Sequence, residues 1–267
     1  MRKTKALGQH FLTSRAILNK IVAIISPQKE ELVIEIGAGK GALTFALADR
    51  CRKVIAIEKD KSLIPYLMEK KRENVDILEK DVLSVDFFSL LETEKAVAGK
   101  IKLVGNLPYS ISSPLLFKAL EARDLFSSCV FLLQKEVAER LSAGPGSKKY
   151  APLSILFQIR FDIRLRFIVA PGSFSPPPRV QSALVSLEKR KAPLFPVKDE
   201  GRFQAFLRTA FAQRRKTLLN NLKGLGMPFP LLAESFRRLG LDPGTRAEQV
   251  PIEKFVRLFD AVARIGG

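Results

Sequence analysis

Histidine is nearly absent from this chain, with His10 its one representative, and cysteine occurs only twice, as Cys51 and Cys129. Structural zinc centres take about four ligands, mostly from these two residue types. Three such residues scattered over the chain do not make one, so no metal is expected. The same scarcity leaves Ser-His-Asp catalysis dependent on His10 alone and argues against it. The two cysteines, far apart and each beside a predicted strand, read as buried free thiols of a reducing cytosol, which makes the expected location cytoplasmic. No run of about 18 apolar residues occurs, so no membrane span is expected. Residues 1–5 are basic, but Gln9, His10, Thr13, Ser14 and Arg15 interrupt any apolar run behind them, which excludes a secretory signal. Internal repeats and low-complexity tracts are absent too.

Acidic residues are scarce relative to basic ones: 27 Asp and Glu against 45 Lys and Arg, a net charge of +18. Such an excess reads as an electrostatic footprint for phosphate, foremost nucleic acid; an anionic membrane is the rival partner and a solubilising surface the plain alternative. Apolar residues make up 46% of the 267 residues. That is enough for a full core, in one large domain or a medium domain with a small appendage.

Apolar residues in 15–25 recur at helical spacing. Short apolar runs then alternate with helical segments. Strands are expected at 32–36, 54–58, 75–78 (ending near Asp81), 101–105 and 129–133. The helices between them are expected at 41–48, after Asp60, from about Ser113, and at 135–141. Strand-helix alternation implies a parallel, doubly wound α/β sheet, with ligands bound at the carboxyl ends of its strands. Residues 142–149 read as a loop, and 161–169 with 180–187 as a hairpin closing the sheet. A stiff, turn-rich loop at 171–179 lies between them. Residues 189–196 read as a linker, followed by helices at 202–215, 230–239 and 251–264.

Three motifs carry chemistry. VIEIGAGKG at 33–41 is a strand running into a glycine turn that opens a helix, where backbone approaches a ligand and free N–H groups face it. It also satisfies G-x-G-x-x-A, so a nicotinamide dehydrogenase stays open, as does a plain tight turn. Glu58, 21 residues after Gly37, sits where a carboxylate accepts the hydroxyls of a ribose. Asp81, ending the third strand, suits an adenine amine or a helix cap equally.

The third motif is Asn106-Leu107-Pro108-Tyr109, directly after the fourth strand. An adenine N6 amine is a poor nucleophile because its lone pair is delocalised into the ring. The Asn106 side-chain oxygen and the Leu107 carbonyl can both accept from that amine, drawing it toward tetrahedral geometry. Pro108 stiffens the turn, and Tyr109 offers a face for base stacking, worth about 1–3 kcal/mol. A proline turn with a packed tyrosine is the plain alternative.

The chain resembles the small-subunit ribosomal RNA adenine dimethyltransferases over almost its whole length. The resemblance is carried by GQHFL at 8–12, the glycine turn, Asn106 to Tyr109, LQKEVA at 133–138 and SFSPPPRV at 173–180. It implies a Rossmann-like methyltransferase domain over 1–190, a small helical RNA-binding domain over 195–267, and S-adenosyl-L-methionine as cofactor. It places His10 and Leu12 near the methionine end of the cofactor and matches Gly37, Glu58, Asp81 and Asn106 to its remaining contacts. It makes Phe174 the ring that closes over the target base opposite Tyr109. His10 stands where many relatives have asparagine, and Ala38 where many have proline. The implied reaction is dimethylation of two adjacent adenosines in a hairpin near the 3′ end of 16S ribosomal RNA. It implies action late in assembly on the pre-30S ribosomal subunit, and the protein is expected to be a monomer. Arg202, Arg208, Arg214, Arg215, Lys216, Lys148 and Lys149 fit phosphate contacts.

The nearest rival is the macrolide-resistance type, which modifies large-subunit RNA and shares a similar Asn-Leu-Pro-Tyr block. The LQKEVA stretch and the triple proline after Phe174 favour the small-subunit enzyme. A non-catalytic assembly factor is another class of reading, and intact Asn106, Tyr109 and Glu58 argue against it. A dehydrogenase leaves Asn106 to Tyr109 unexplained.

Overall fold

In a computed structural model of the chain, residues 9–94, 100–225 and 228–263 are described. The first elements are β1 (Phe11–Leu12), α1 (Arg15–Ile25), β2 (Leu32–Ile36), α2 (Ala42–Ala48), β3 (Lys53–Glu58), α3 (Ile64–Glu69) and β4 (Val75–Glu79). Next come α4 (Phe87–Thr93), β5 (Ile101–Asn106), α5 (Ser112–Glu121), β6 (Ser128–Gln134), α6 (Lys135–Ser142) and α7 (Pro152–Arg160). Then follow β7 (Phe161–Val169), β8 (Phe174–Ser175), β9 (Ser182–Lys189), α8 (Glu200–Ala210), α9 (Leu218–Leu222), α10 (Phe229–Arg238) and α11 (Ile252–Ala263). Among the described residues, no helix is long and apolar enough to cross a membrane.

Seven strands form one sheet in the order β4-β3-β2-β5-β6-β9-β7. The five strands from β4 to β6 pair in parallel, and β9 runs antiparallel to β6. The parallel strands read as continuous apolar runs because both their faces are covered. All five residues of β2 are buried, Glu35 among them. The chain builds outward from β2 through β3 to β4, then returns to place β5 on the other side of β2. The crevice at such a reversal is where open α/β sheets take ligands. α1 is capped by Ser14, whose side chain accepts from the Ile17 N–H, and it buries Ile21, Val22 and Ile25 in the apolar cluster beneath the sheet.

The expected strands and the helix at 15–25 are all present, and 161–169 and 182–189 complete the sheet. Three features differ from expectation. The helix predicted over 202–215 stops at Ala210, because Asn221 Nδ2 takes the carbonyls of Ala210 (2.8 Å) and Gln213 (3.2 Å) and turns the chain. The loop at 171–179 contains β8, which pairs antiparallel with β1, Leu12 opposite Phe174 and Phe11 opposite Ser175. The chain divides into two compact units, one joining the chain up to Ala138 with Asp162–Lys189, the other Glu139–Phe161 with Arg190–Gly267. Residues 139–161, expected within a domain over 1–190, thus group with the C-terminal helices. That second unit is built around phenylalanines, with Phe203 and Phe259 edge to face at 5.2 Å. Gly8 and Arg264 lie outside the described residues.

At Gly105 the sheet leaves no room for a side chain. A Cβ there would sit 2.5 Å from the Ile36 carbonyl oxygen, a backbone atom that cannot swing aside. Gly105→Ala is expected to destabilise the protein by about 1–3 kcal/mol, the usual cost of overpacking. Urea denaturation measures this, and an unchanged midpoint would mean that β2 and β5 part without penalty.

Candidate active site

The crevice between β2 and β5 is shaped by the glycine turn. Gly37, Gly39 and Gly41 have φ of 72°, 58° and 77°, the left-handed region that side chains disfavour. At Gly39 a Cβ would also press to 3.0 Å on the Phe11 ring. The Gly37 N–H donates to the Ile57 carbonyl at 2.8 Å, and the Gly39 N–H donates to Glu58 Oε2 at 2.8 Å. Glu58 Oε1 accepts from the N–H groups of Lys59 (2.9 Å) and Asp60 (2.8 Å). Three backbone donors therefore hold this nearly buried carboxylate at the end of β3, where the side chain lines the crevice.

On the other wall, β5 ends in Asn106. Its Nδ2 donates to the His10 carbonyl at 2.8 Å. That bond fixes the amide and leaves Oδ1 as an acceptor with no donor among the described residues. The Leu107 N–H is held by the Leu132 carbonyl at 3.0 Å. The Pro108 carbonyl accepts from Ile111 N–H and Ser112 Oγ, closing the turn that carries Tyr109. Tyr109 Oη lies 2.6 Å from Ser182 Oγ at the start of β9, and its ring is 5.6 Å from that of His10. Burial pushes the Tyr109 phenol above its ordinary pKa, so it stays neutral. His10 Nδ1 donates to the Pro176 carbonyl at 2.7 Å.

Three adjoining cavities share Gly37. The central one, about 70 Å³, lies among Gln9, His10, Glu58, Asn106 and Tyr109. One neighbour, about 140 Å³, runs past Ile57, Asp81, Val82 and Ile111. The other, about 180 Å³, runs past Leu12, Glu35, Leu43 and Leu132. Asp81 lines the cleft, and it caps the short turn Val82–Ser84 through the Leu83 N–H at 3.0 Å. The bond from Lys59 Nζ (2.7 Å), and then that cap, hold its carboxyl below the ordinary range.

The structure thus brings His10, Leu12, Gly37, Glu58, Asp81, Asn106, Leu107, Pro108 and Tyr109 into one cleft. Phe174 is placed elsewhere. It is 4% exposed and packs with Ile21, Val22 and Leu184 in the apolar cluster, because the β1–β8 pairing turns its ring inward. Two residues given no role from sequence belong to the walls. Gln9 has a buried Oε1 with no hydrogen-bond partner among the described residues. Glu35, 2% exposed, accepts from Thr44 Oγ1 at 2.5 Å. Its one signal in sequence was a charge inside an otherwise apolar strand.

The cleft fits a nucleoside with a charged tail. Glu58 can accept the hydroxyls of a ribose, the turn at Gly37 lets a ligand lie against backbone, and Asn106 Oδ1 is an acceptor left over for an amine. This places the chain among the S-adenosylmethionine-dependent methyltransferases of Rossmann-like fold. Comparison with known proteins narrows the class. The family model described as ribosomal RNA adenine dimethylase matches residues 1–264. A Geobacter metallireducens protein named ribosomal RNA small subunit methyltransferase A is 43% identical, covering 100% of this chain and 98% of its own. One of the same name from Clostridium acetobutylicum is 40% identical, covering 98% and 95%. A dimethyladenosine transferase from Plasmodium falciparum superposes with a TM-score of 0.81 at 26% identity over 96% of this chain and 98% of its own. The 23S rRNA methyltransferase ErmE superposes at 0.72 and 25% identity over 95% and 99%. The chain belongs to the ribosomal RNA adenine dimethylase family.

If Glu58 takes the ribose hydroxyls, Glu58→Ala removes their acceptor, a loss of about 1.5–3 kcal/mol. S-adenosylhomocysteine, the cofactor's product, should therefore bind roughly ten- to a hundredfold more weakly by calorimetry. Unchanged affinity would remove the ribose assignment.

Proposed function

We propose that this enzyme converts two adjacent adenosines in a hairpin near the 3′ end of 16S ribosomal RNA to N6,N6-dimethyladenosine. It acts as a cytoplasmic monomer on the pre-30S subunit, late in assembly. The observation that carries the reading is the tethered Asn106 amide. With Nδ2 committed to the His10 carbonyl, Oδ1 presents an acceptor of fixed direction beside the Leu107 carbonyl. Two acceptors for one exocyclic amine draw its lone pair out of conjugation with the ring. The cofactor, when bound, supplies an electrophilic methyl group on a sulfonium. Catalysis by the chain is then mainly positioning and fixed dipoles, and no general base is needed because the methylated ammonium sheds its proton readily.

Tyr109 is the stacking face, its ring held by the Ser182 contact. Phe174 supports the site from behind: by packing inward from β8 into the apolar cluster it holds the β1–β8 pairing that sets His10 and Leu12 in the cleft. Arg202, Arg208, Arg215, Lys216 and Lys148 are exposed and suit phosphate contacts. Arg214 and Lys149 are partly committed, Arg214 to Glu248 and the Lys148 carbonyl, Lys149 to Glu139. Relatives at 40–43% identity carry the small-subunit name, whereas the 23S enzyme ErmE stands at 25%.

Asn106→Ala should cut methyl transfer by more than about a hundredfold, the scale for losing one preorganised group, while RNA binding holds. Retained turnover would sink this mechanism. Tyr109→Phe should keep most activity and Tyr109→Ala lose it, whereas Phe174→Ala should cost about 3–5 kcal/mol of stability. The substrate is tested by incubating undermethylated 30S and 50S subunits with labelled cofactor and digesting the RNA. Mass spectrometry should find two neighbouring dimethyladenosines in 30S, and label in 50S would overturn the assignment.

A further inference from the structure

Residues 9–12 border every part of the cleft. Gln9 lines the central cavity and the one past Asp81, His10 lines the central one, and Phe11 and Leu12 line the cavity past Leu43. The same residues also bridge its walls. Toward the glycine turn, the Phe11 ring lies so near Gly39 that a Cβ there would meet it at 3.0 Å, and Lys40 Nζ stands 5.3 Å from the ring centre. Toward β5, the His10 carbonyl accepts from Asn106 Nδ2 at 2.8 Å. On the third side His10 Nδ1 donates to the Pro176 carbonyl at 2.7 Å, and β1 pairs with β8. A ligand that reaches from Asp81 past Glu58 to Leu43 runs behind this bridge.

The bridge is firmly held at one end only. The N–H groups of Thr13 and Ser14 both donate to the Ser173 carbonyl, at 2.9 and 3.4 Å, and Ser14 caps α1. Leu12 packs, half-buried, against the apolar cluster that also holds Phe174 of β8. Residues 9–11 lie beyond that anchor. They are kept in place by the two-residue pairing with β8, by the His10 bonds and by the contact of Phe11 with the turn. A two-stranded ribbon this short is marginal by itself, and segments with few backbone bonds open locally at small cost.

We propose that residues 9–11 are a latch pivoting at Leu12, which lifts whenever the cofactor is exchanged, and that its lifting releases Asn106 and so switches off the amine acceptor. This rests on the reading of the cleft as the S-adenosylmethionine site. Only the His10 carbonyl fixes which way the Asn106 amide points. With the latch raised the amide turns freely, and Oδ1 no longer has one direction. The acceptor is thus set only while the latch is down, as it is over a loaded cleft. Two methyl groups on one adenosine need two cofactor molecules, so the latch opens between the first transfer and the second. Dimethylation then has an obligatory pause at the monomethyl stage.

The test locks the latch. Phe11 and Ser175 are register partners across β1 and β8, a spacing that a disulfide can span. Both native cysteines are buried and do not compete. The double variant Phe11→Cys with Ser175→Cys is loaded with labelled S-adenosylmethionine, oxidised, and given undermethylated 30S subunits. The locked enzyme should transfer one methyl group per molecule and stop, leaving N6-methyladenosine. Adding reductant should restore turnover and dimethyladenosine. Release of S-adenosylhomocysteine from the locked form should be slower by about tenfold or more, as for a closed lid. Locked enzyme that turns over like the reduced form overturns the latch, and locked, loaded enzyme that transfers nothing overturns its coupling to Asn106. Hydrogen exchange in the wild type decides the matter if the disulfide does not form. Residues 9–11 should exchange faster than β5 in the empty enzyme and slow markedly with S-adenosylhomocysteine; exchange as slow as that of β5 without ligand overturns the proposal. A wild-type enzyme that does not bind S-adenosylhomocysteine at all overturns the cofactor reading and this proposal with it.

Discussion

The cleft depends on how closely β2 and β5 come together at their carboxyl ends. Gly105 lies so near the Ile36 carbonyl that no side chain fits between them. That approach brings the turn after β2 beside the turn after β5. The first turn carries the left-handed glycines, and the second carries Asn106 to Tyr109. Glu58 then reaches in from β3 and is locked by the Gly39 N–H. The ligand-facing groups thus hang on strand ends whose spacing is set by backbone contact, which is more rigid than a site assembled on loops.

Three carboxyl groups line this cleft, each in different surroundings. Glu58 is held by backbone N–H groups alone. Asp81 has a lysine partner and a capping bond, which favour its ionised form. Glu35 has one hydroxyl and an apolar wall, which favour its neutral form. Distance from solvent and the count of donors separate the three.

Much of this was legible in the sequence, for identifiable reasons. The parallel strands are continuous apolar runs bounded by glycine and acidic residues, a pattern with little ambiguity. The turns at Gly37 and Asn106 were legible because their chemistry follows from residue type. Two-residue strands have no period, so β1 and β8 could not be seen; the place given to Phe174 over the base came from the family resemblance, and its packing in the apolar cluster left no signal in the sequence. The end of α8 was hidden because Asn221, eleven residues on, sets it. Glu35 was read only as part of a strand, since the cavity wall it joins is drawn from seven other strands and helices.

The pairing of β1 with β8 joins the start of the chain to a segment more than 160 residues later, and His10 meets Pro176 across the same span. Synthesis proceeds from the N-terminus, and domains fold as their chain emerges. A ribosome-bound chain that has passed Tyr109 already carries the glycine turn, Glu58 and Asn106, yet His10 and Leu12 have nothing to pair with until Ser175 has been made. The cleft is therefore completed late in translation, by a strand far downstream of most of the residues it serves. An enzyme of the ribosomal RNA adenine dimethylase family thus leaves its own ribosome with its last wall only recently in place.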